Sequence, residues 1–359
     1  MFITCDHCLM DGSDEDIILD GNGVCNHCLT AQRALIECEK EKPNLGKVVE
    51  LIKKDGKEYD VLIGLSGGVD SSMSLHELCR LGLRPLCFTM DNGYNDPRAD
   101  ANVLQMVEKL KVPLYRYVLD LDKFRDLQSA YLKAGVVNIE ATYDHLLWGA
   151  SYEMASKYGI KWILSGGNVA TESIMPKSWS YDSRDLVNMK DIYRKMTGRE
   201  LKGRYGDFPL VSIWKFNWYR WWKGIKTVYL LDFLGYNRKE SIELLKNEYG
   251  YNEYGLKHEE NVFTSWFQNF YLFQKWNIDK RKAHYSSMIN SGQMTKKEAL
   301  LVITDCPVYP ALGIETSVLR YPKRKHEEFK TDKWYPKISK LISKLYKYGI
   351  IRRISNNVV

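Results

Sequence analysis

Between residues 59 and 165 the chain alternates short apolar runs with stretches of helical periodicity. Val61, Leu62, Ile63, Gly64 and Leu65 form one run, after which Met73, Leu75, Leu78 and Leu81 recur every three or four residues. A second apolar strand over 84–90 ends at Asp91, Asn92 and Gly93, and a helical pattern covers 101–110. A third strand is expected over 114–119, and helices over 123–134 and 143–158. A fourth strand, 162–164, runs into Ser165, Gly166, Gly167 and Asn168. Strands separated by helices in this way specify an α/β fold, a doubly wound parallel sheet whose ligands bind at the C-terminal strand ends. The loops beginning at Ser66, Asp91 and Ser165 all fall at those ends.

The pattern changes beyond Pro176. Residues 208–233 are dense in aromatics (Trp214, Phe216, Trp218, Tyr219, Trp221, Trp222, Tyr229) with Lys215, Arg220 and Lys223 interleaved. Such a mixture suits a packed helical core, a partner-docking surface or a platform for stacking sugars or bases. Four regions are expected: 1–45, a cysteine ribbon with a linking helix near 29–38; 46–190, the nucleotide-binding sheet; 191–310, a largely helical substrate or partner region; and 311–359, a basic tail. Ile338, Leu341, Ile342, Leu345 and Tyr346 within the tail have the spacing of an amphipathic helix.

The turn after the first strand carries the most specific chemistry. Ser66, Gly67, Gly68, Val69, Asp70 and Ser71, followed by Ser72, join a strand to a helix N-terminus. Backbone N–H groups freed by the glycines and by the first helical turn converge there, and the helix dipole favours an anion. The serines add hydroxyl donors, and Asp70 offers a carboxylate for Mg²⁺. A Walker loop would end in Gly-Lys-Ser/Thr, and no such lysine is present. Asp91 and Asn92 are placed to face ribose or metal, with Gly166, Gly167, Asn168 and Glu172 closing the opposite side; Glu172 is a second candidate for Mg²⁺.

Two tight cysteine pairs, Cys5-x-x-Cys8 and Cys25-x-x-Cys28, stand 16 residues apart. Two knuckles of this kind bring four thiolates around one tetrahedral Zn²⁺, a closed structural site; His7 and His27 inside the knuckles are alternative ligands. Paired thiols of this type read as metal ligands in a cytoplasmic setting rather than as disulfides, and residues 1–8 have no signal-peptide pattern.

Composition agrees with a globular enzyme: 359 residues, 45% hydrophobic, with no run of about 18 apolar residues to span a membrane. The net charge of +7 is concentrated in the tail, where residues 320–359 hold 12 Lys or Arg against 3 Asp or Glu. That surplus fits an acidic partner subunit, an anionic membrane surface or RNA, or simply a solvated helix face.

The phosphate loop resembles the PP-loop of ATP pyrophosphatases, which cleave ATP to AMP and pyrophosphate while adenylating a substrate oxygen. The segments Lys257-His258-Glu259, Asp279-Lys280-Arg281-Lys282-Ala283-His284 and Ser291-Gly292-Gln293-Met294-Thr295 look like signatures of the N-acetyl sugar amidotransferases of surface-polysaccharide pathways. The paired cysteines and the Ser66–Ser72 loop are similar to that family too, and the resemblance covers residues 5–300. It implies ATP-driven conversion of an acetamido group on a nucleotide-activated sugar to an acetamidino group. The cofactors would be ATP, Mg²⁺ and structural Zn²⁺. Asp70, Lys257, Glu259 and Arg281 are the implied catalytic residues. Ammonia would come from separate glutaminase and cyclase-like subunits, because no glutaminase domain is recognisable and Met1 is followed by Phe2. The aromatic–basic stretch and the tail are the expected docking segments, and nucleic acid is not among the expected partners.

The competing reading is a tRNA-thiolating PP-loop enzyme, whose chemistry needs a sulfur carrier or cluster. Outside the ribbon only Cys38, Cys79, Cys87 and Cys306 remain, and Cys306 is the one loop candidate.

Overall fold

The computed structural model describes residues 3–204, 206–254, 257, 259–334 and 337. Its centre is a five-stranded sheet of β1 (Val61–Gly64), β2 (Pro85–Asp91), β3 (Leu114–Val118), β4 (Trp162–Ser165) and β5 (Lys226–Tyr229). The order is β3-β2-β1-β4-β5 and every pairing is parallel. Leu62 of the central strand lies opposite Leu86 on one side and Ile163 on the other. The chain builds outward from β1 through β2 to β3, then returns to β4 on the far side of β1. That reversal opens a crevice between β1 and β4 at their C-terminal ends.

The helices in chain order are α1 (Asn26–Glu41), α2 (Leu45–Asp55), α3 (Val69–Arg80), α4 (Pro97–Leu110), α5 (Leu121–Ala134), α6 (Ala141–Lys157) and α7 (Val169–Glu172). They continue with α8 (Leu186–Thr197), α9 (Ile213–Trp221), α10 (Arg238–Tyr249), α11 (Val262–Trp266), α12 (Lys280–Asn290), α13 (Lys296–Val302) and α14 (Glu315–Arg320). Strand residues Val61, Leu62, Ile63, Cys87 and Trp162 are buried beneath helices on both faces, as their unbroken apolar runs require. The doubly wound parallel sheet and helical C-terminal part expected from the sequence are thus present.

Two details differ from the sequence pattern. α4 starts at Pro97, because the Asp96 side chain accepts from the Arg98 N–H and Pro occupies the first turn, a cap ahead of the apolar periodicity. The fifth strand comes from the aromatic-rich stretch beyond residue 190, where Thr227 and Val228 are buried beside Ile163 and Leu164. Four residues among so many aromatics carry too short a pattern to announce a strand.

The N-terminal ribbon is held by antiparallel bridges between Thr4 and Asp11 and between Leu19 and Cys25. It packs on α12: the Leu9 N–H donates to Ser286 Oγ (3.0 Å), Lys282 pairs with Asp11, and Lys296 Nζ donates to the Cys5 and Asp6 carbonyls. Its other edge meets the loop after α7, where Ser178 Oγ donates to Asp14 Oδ1 at 2.7 Å and Trp179 Nε1 to the Ser13 carbonyl. The amphipathic pattern at 338–346 lies outside the described residues.

Candidate active site

The turn from β1 to α3 is built by glycine geometry. Gly67 has φ +79°, and a Cβ there would lie 2.2 Å from the Ala99 carbonyl oxygen, so no other residue fits without moving α4. Its own carbonyl accepts from Tyr254 Oη (3.0 Å) and Asn102 Nδ2 (3.4 Å). Gly68 caps α3 with extended backbone. The Ser66 N–H donates to Ser71 Oγ (3.3 Å), and Ser71 Oγ donates to the Gly68 carbonyl (3.1 Å). Val69 and Ser72 are buried and anchor the first turn, Ser72 N–H donating to the Gly68 carbonyl. The result is a preformed cradle at a 12-residue helix's N-terminus.

From this cradle a cavity of about 640 Å³ extends across the strand ends. Gly166 and Gly167 form its far rim; a Cβ on Gly166 would sit 3.3 Å from Ser71 Cα, so the two glycine loops approach as closely as glycine permits. Lys257 lies between them. Its Nζ is 2.7 Å from Asp70 Oδ2, 2.8 Å from Glu172 Oε1 and 2.7 Å from Thr171 Oγ1. Burial disfavours the ammonium, but Asp70 and Glu172 outweigh it and raise the Lys257 pKa above its ordinary value. The second Asp70 oxygen accepts from the Tyr236 hydroxyl, whose own proton is held more tightly by burial and by the Asp70 charge. Glu260 reaches the same place from the segment paired with Asn95, and burial, reinforced by the Asp70 charge, pushes its carboxyl up to about 7.

The opposite wall belongs to the start of α6 and to α12. Glu140, Tyr143 and Asp144 line it together with Lys280 and His284. Burial raises Glu140 to about 7, helped by the Asp144 charge and opposed by the 2.8 Å hydrogen bond from Thr264 and by Lys280. Burial raises Asp144 to about 6 against the pull of Lys280. Lys280 is shifted below the usual lysine range by burial, despite both carboxylates. Two acids near neutrality beside a weakened cation form a wall able to take up or give up protons at physiological pH.

Among residues proposed from sequence, Ser66, Gly68, Val69, Asp70, Ser71, Gly166, Gly167, Glu172 and Lys257 line this one cavity. Gly67 and Ser72 support the loop from behind. Asp91 accepts from the Gly93 N–H and faces Arg116 at 3.6 Å, away from the lining, while Asn92 is buried and accepts from Asn261 Nδ2 (3.0 Å). Asn168 caps α7, accepting from the Thr171 N–H (2.9 Å). Glu259 accepts a long 3.5 Å bond from Asn269, and Arg281 is forked onto Asp279 and reaches the Asp305 carbonyl; neither is among the lining residues. His258 lies outside the described residues. The lining also includes Glu140, Asp144 and Glu260, none of which the sequence reading singled out, and Lys280, which it named only as part of the Asp279–His284 signature. Glu140 and Asp144 stand four apart on one helix face, the only sequence trace of that wall.

At the other end of α12 the Cys5, Cys8, Cys25 and Cys28 sulfurs all lie within 4.8 Å of one another, fully buried. Cys5–Cys28 and Cys8–Cys25 Sγ separations are 3.9 and 3.7 Å. N–H groups of Cys8, Met10, Cys25 and Cys28 point at the sulfurs, and Asn290 Nδ2 on α12 donates to Cys28 Sγ at 3.3 Å. These donors stabilise thiolates, the form a metal ion needs. His27 pairs with Asp14 (2.6 Å) rather than joining the sulfurs.

Comparison with known proteins places residues 260–346 in the family model described as the C-terminal domain of WbpG-like LPS biosynthesis proteins. This match bears out the resemblance to N-acetyl sugar amidotransferases. An uncharacterized protein of Methanocaldococcus jannaschii is 28% identical over 164 residues, which are 45% of this chain and 58% of the relative; the match spans less than two thirds of its length. Among solved structures, an NH3-dependent NAD synthetase from Campylobacter jejuni is 15% identical with a TM-score of 0.29, over 37% of this chain and 58% of its own. An NMN synthetase from Francisella tularensis is 13% identical with a TM-score of 0.32, over 62% of this chain and 98% of its own. The U34-tRNA thiolase NcsA from Methanococcus maripaludis, solved with an iron–sulfur cluster, is 14% identical with a TM-score of 0.36, over 90% of this chain and 98% of its own.

Proposed function

We propose that this chain is an ATP-dependent amidotransferase of lipopolysaccharide biosynthesis, converting an acetamido group of a nucleotide-activated sugar to an acetamidino group. One observation carries the reading. The WbpG-like segment supplies Glu260, Thr264, Lys280 and His284 to the same cavity that the phosphate loop opens, so the matched domain and the anion cradle are two walls of one site.

The chemistry follows from what an amide lacks. Its carbonyl is a poor electrophile and its oxygen a poor leaving group. Attack of that oxygen on the α-phosphorus of ATP forms an O–P bond and expels pyrophosphate. Ammonia then adds to the imidate carbon, the C–O bond breaks, and AMP departs, leaving C=NH in place of C=O. The protein's task is positioning and charge neutralisation. The Ser66–Ser72 cradle receives the pyrophosphate oxygens. Lys257, already held between two carboxylates, supplies the positive charge that turns to the phosphates. Asp70 and Glu172, facing one ammonium from two sides, are the pair that would hold the Mg²⁺ accompanying ATP, whose contribution is to neutralise phosphate charge.

Glu140 and Asp144 fit the second half-reaction. An ammonium ion must lose a proton before it attacks, and a carboxylate with a pKa near neutrality accepts that proton without holding it too tightly. Ammonia supplied by separate glutaminase and cyclase-like subunits would reach this wall with water kept out.

The four sulfurs fit one Zn²⁺: Zn–S bonds of about 2.3 Å define a tetrahedron with edges of about 3.8 Å, near the two separations above. The thiolase reading needs a sulfur carrier outside the ribbon: Cys87 is buried and burial raises the Cys79 thiol, which leaves the exposed Cys306 as the residue that reading would use. Among described residues no helix is long and apolar enough to cross a membrane.

The test is pyrophosphate release dependent on a nucleotide-activated N-acetyl sugar. Wild type should show it, Asp70→Ala should not, and Glu140→Gln should retain it while amidine formation falls. Sugar-independent hydrolysis to ADP would exclude the reading.

A further inference from the structure

α12 ends in Ser291, Gly292 and Gln293, the start of a signature segment of which no residue lines the cavity. Gly292 stands in the left-handed region at φ +73°. The Gln293 N–H donates to the Met288 carbonyl (2.9 Å) and the Gly292 N–H to the Ile289 carbonyl (3.1 Å). This is the Schellman stop that a glycine permits, and it turns the chain at Gln293. α12 itself is pinned to the ribbon, Asn290 donating to Cys28 Sγ one residue before the turn.

The Gln293 amide grips one short segment with both its ends. Its Oε1 accepts from the Arg238 N–H and its Nε2 donates to the Tyr236 carbonyl, each at 2.9 Å. Both of those residues reach the phosphate cradle. The Tyr236 hydroxyl donates to Asp70 Oδ1. Arg238 lines the cavity, close enough to Tyr236 and Tyr254 for its charge to act on both hydroxyls, and Tyr254 holds the Gly67 carbonyl. Ser291 Oγ donates to the Ala170 carbonyl (2.8 Å) in α7, the helix that carries Glu172.

We propose that Gln293 is a positioning residue for the pyrophosphate end of MgATP, setting Tyr236 against Asp70 and holding Arg238 in the cavity as a second cation in addition to Lys257. The proposal rests on the reading of this cavity as an ATP site. A carboxamide offers an acceptor and a donor side by side and brings no charge. It therefore fixes a carbonyl and an N–H two residues apart without adding to the carboxylates of Asp70, Glu172 and Glu260. Gln293 is only half-buried, so water can replace its two hydrogen bonds at small cost to the fold. Their larger consequence is geometric, because they bracket Asn237, the N-cap of α10, and so fix where Tyr236 and Arg238 leave the backbone.

The experiment measures binding of inorganic pyrophosphate with Mg²⁺ to the full-length protein by calorimetry, beside its melting temperature. Wild type should bind. Gln293→Met, which fills similar space with neither donor nor acceptor, and Gln293→Ala should each bind about tenfold or more weakly. Both should melt within about 3 °C of wild type. A Y236F/R238A variant should bind as weakly as they do. Adding Gln293→Met to that pair should weaken binding by less than about twofold more, because the path through which Gln293 acts is already cut. Wild-type binding that both Gln293 variants retain in full overturns the proposal and leaves the ATP reading standing. So does a fully additive loss on the Y236F/R238A background, or a Gln293→Met protein that melts far below wild type; either makes Gln293 a general support of the fold. No binding of pyrophosphate by wild type removes the ATP reading, and the proposal with it.

Discussion

Replacing Glu140 by Gln should stabilise the protein at alkaline pH and leave it unchanged in acid. The folded state keeps a proton on Glu140 up to about pH 7, against 4.5 for the ordinary side chain. Below 4.5 the group is neutral in both states and costs nothing. As pH climbs to about 7 the unfolded chain ionises freely while the folded one resists, so stability falls across that window and stays low above it. At about 1.4 kcal/mol per unit the full penalty is about 3 kcal/mol, and the partial exposure of Glu140 to the cavity reduces it to about 2 kcal/mol. Glutamine keeps the partner Thr264 without the charge. The variant should therefore melt about 3 °C higher than wild type near pH 8 and equally below about pH 4.5, read by thermal or urea denaturation. A variant less stable near pH 8, or a difference constant with pH, would show that a partner stabilises the charge and that the raised pKa is wrong. The gain should come with slower amidine formation, the usual exchange at a site built for chemistry.

Lys257→Ala leaves Asp70 and Glu172 facing each other, so it should cost about 2–3 kcal/mol in metal-free buffer, less than a fully buried pair because Glu172 is 30% exposed, and Mg²⁺ should restore more stability to it than to wild type. Absence of any Mg²⁺-dependent shift in melting temperature would remove the two carboxylates from cation binding. Gly67→Ala must accommodate a Cβ 2.2 Å from the Ala99 carbonyl at φ +79°; it should abolish pyrophosphate release and lower the melting temperature, and near-normal turnover would deny the loop its role. Metal analysis should find one zinc per chain. Cys5→Ser with Cys8→Ser should lose it together with several kcal/mol of stability, whereas an equally stable but inactive variant would make the cysteines catalytic or redox groups.

The phosphate loop was legible because glycines, serines and an acid at fixed offsets between a strand and a helix leave few alternatives, and the structure places them around one cavity. The cysteine pairs were legible for the same reason: their spacing brings four sulfurs together. Lys257 was found only through family resemblance, since nothing local ties it to Asp70, 187 positions earlier. The DKRKAH segment points to α12 but not to a side chain: its Arg281 turns back onto Asp279, while Lys280, one position earlier, enters the cavity. Helix rotation decides such a choice, and rotation is set by packing of α12 on the ribbon. Glu140 and Asp144 resemble any surface carboxylates in sequence; only the tertiary fold half-buries them in the cavity wall.

The central claim is that the acetamido oxygen leaves on AMP. A nucleotide-activated N-acetyl sugar with heavy oxygen in its acetamido carbonyl, incubated with MgATP and ammonium, tests this by mass spectrometry. The account predicts an unlabelled-sugar product about one mass unit lighter than unlabelled substrate, C=O having become C=NH, and heavy oxygen in the AMP phosphate. Heavy oxygen retained in the product, or released in inorganic phosphate with ADP, would contradict it.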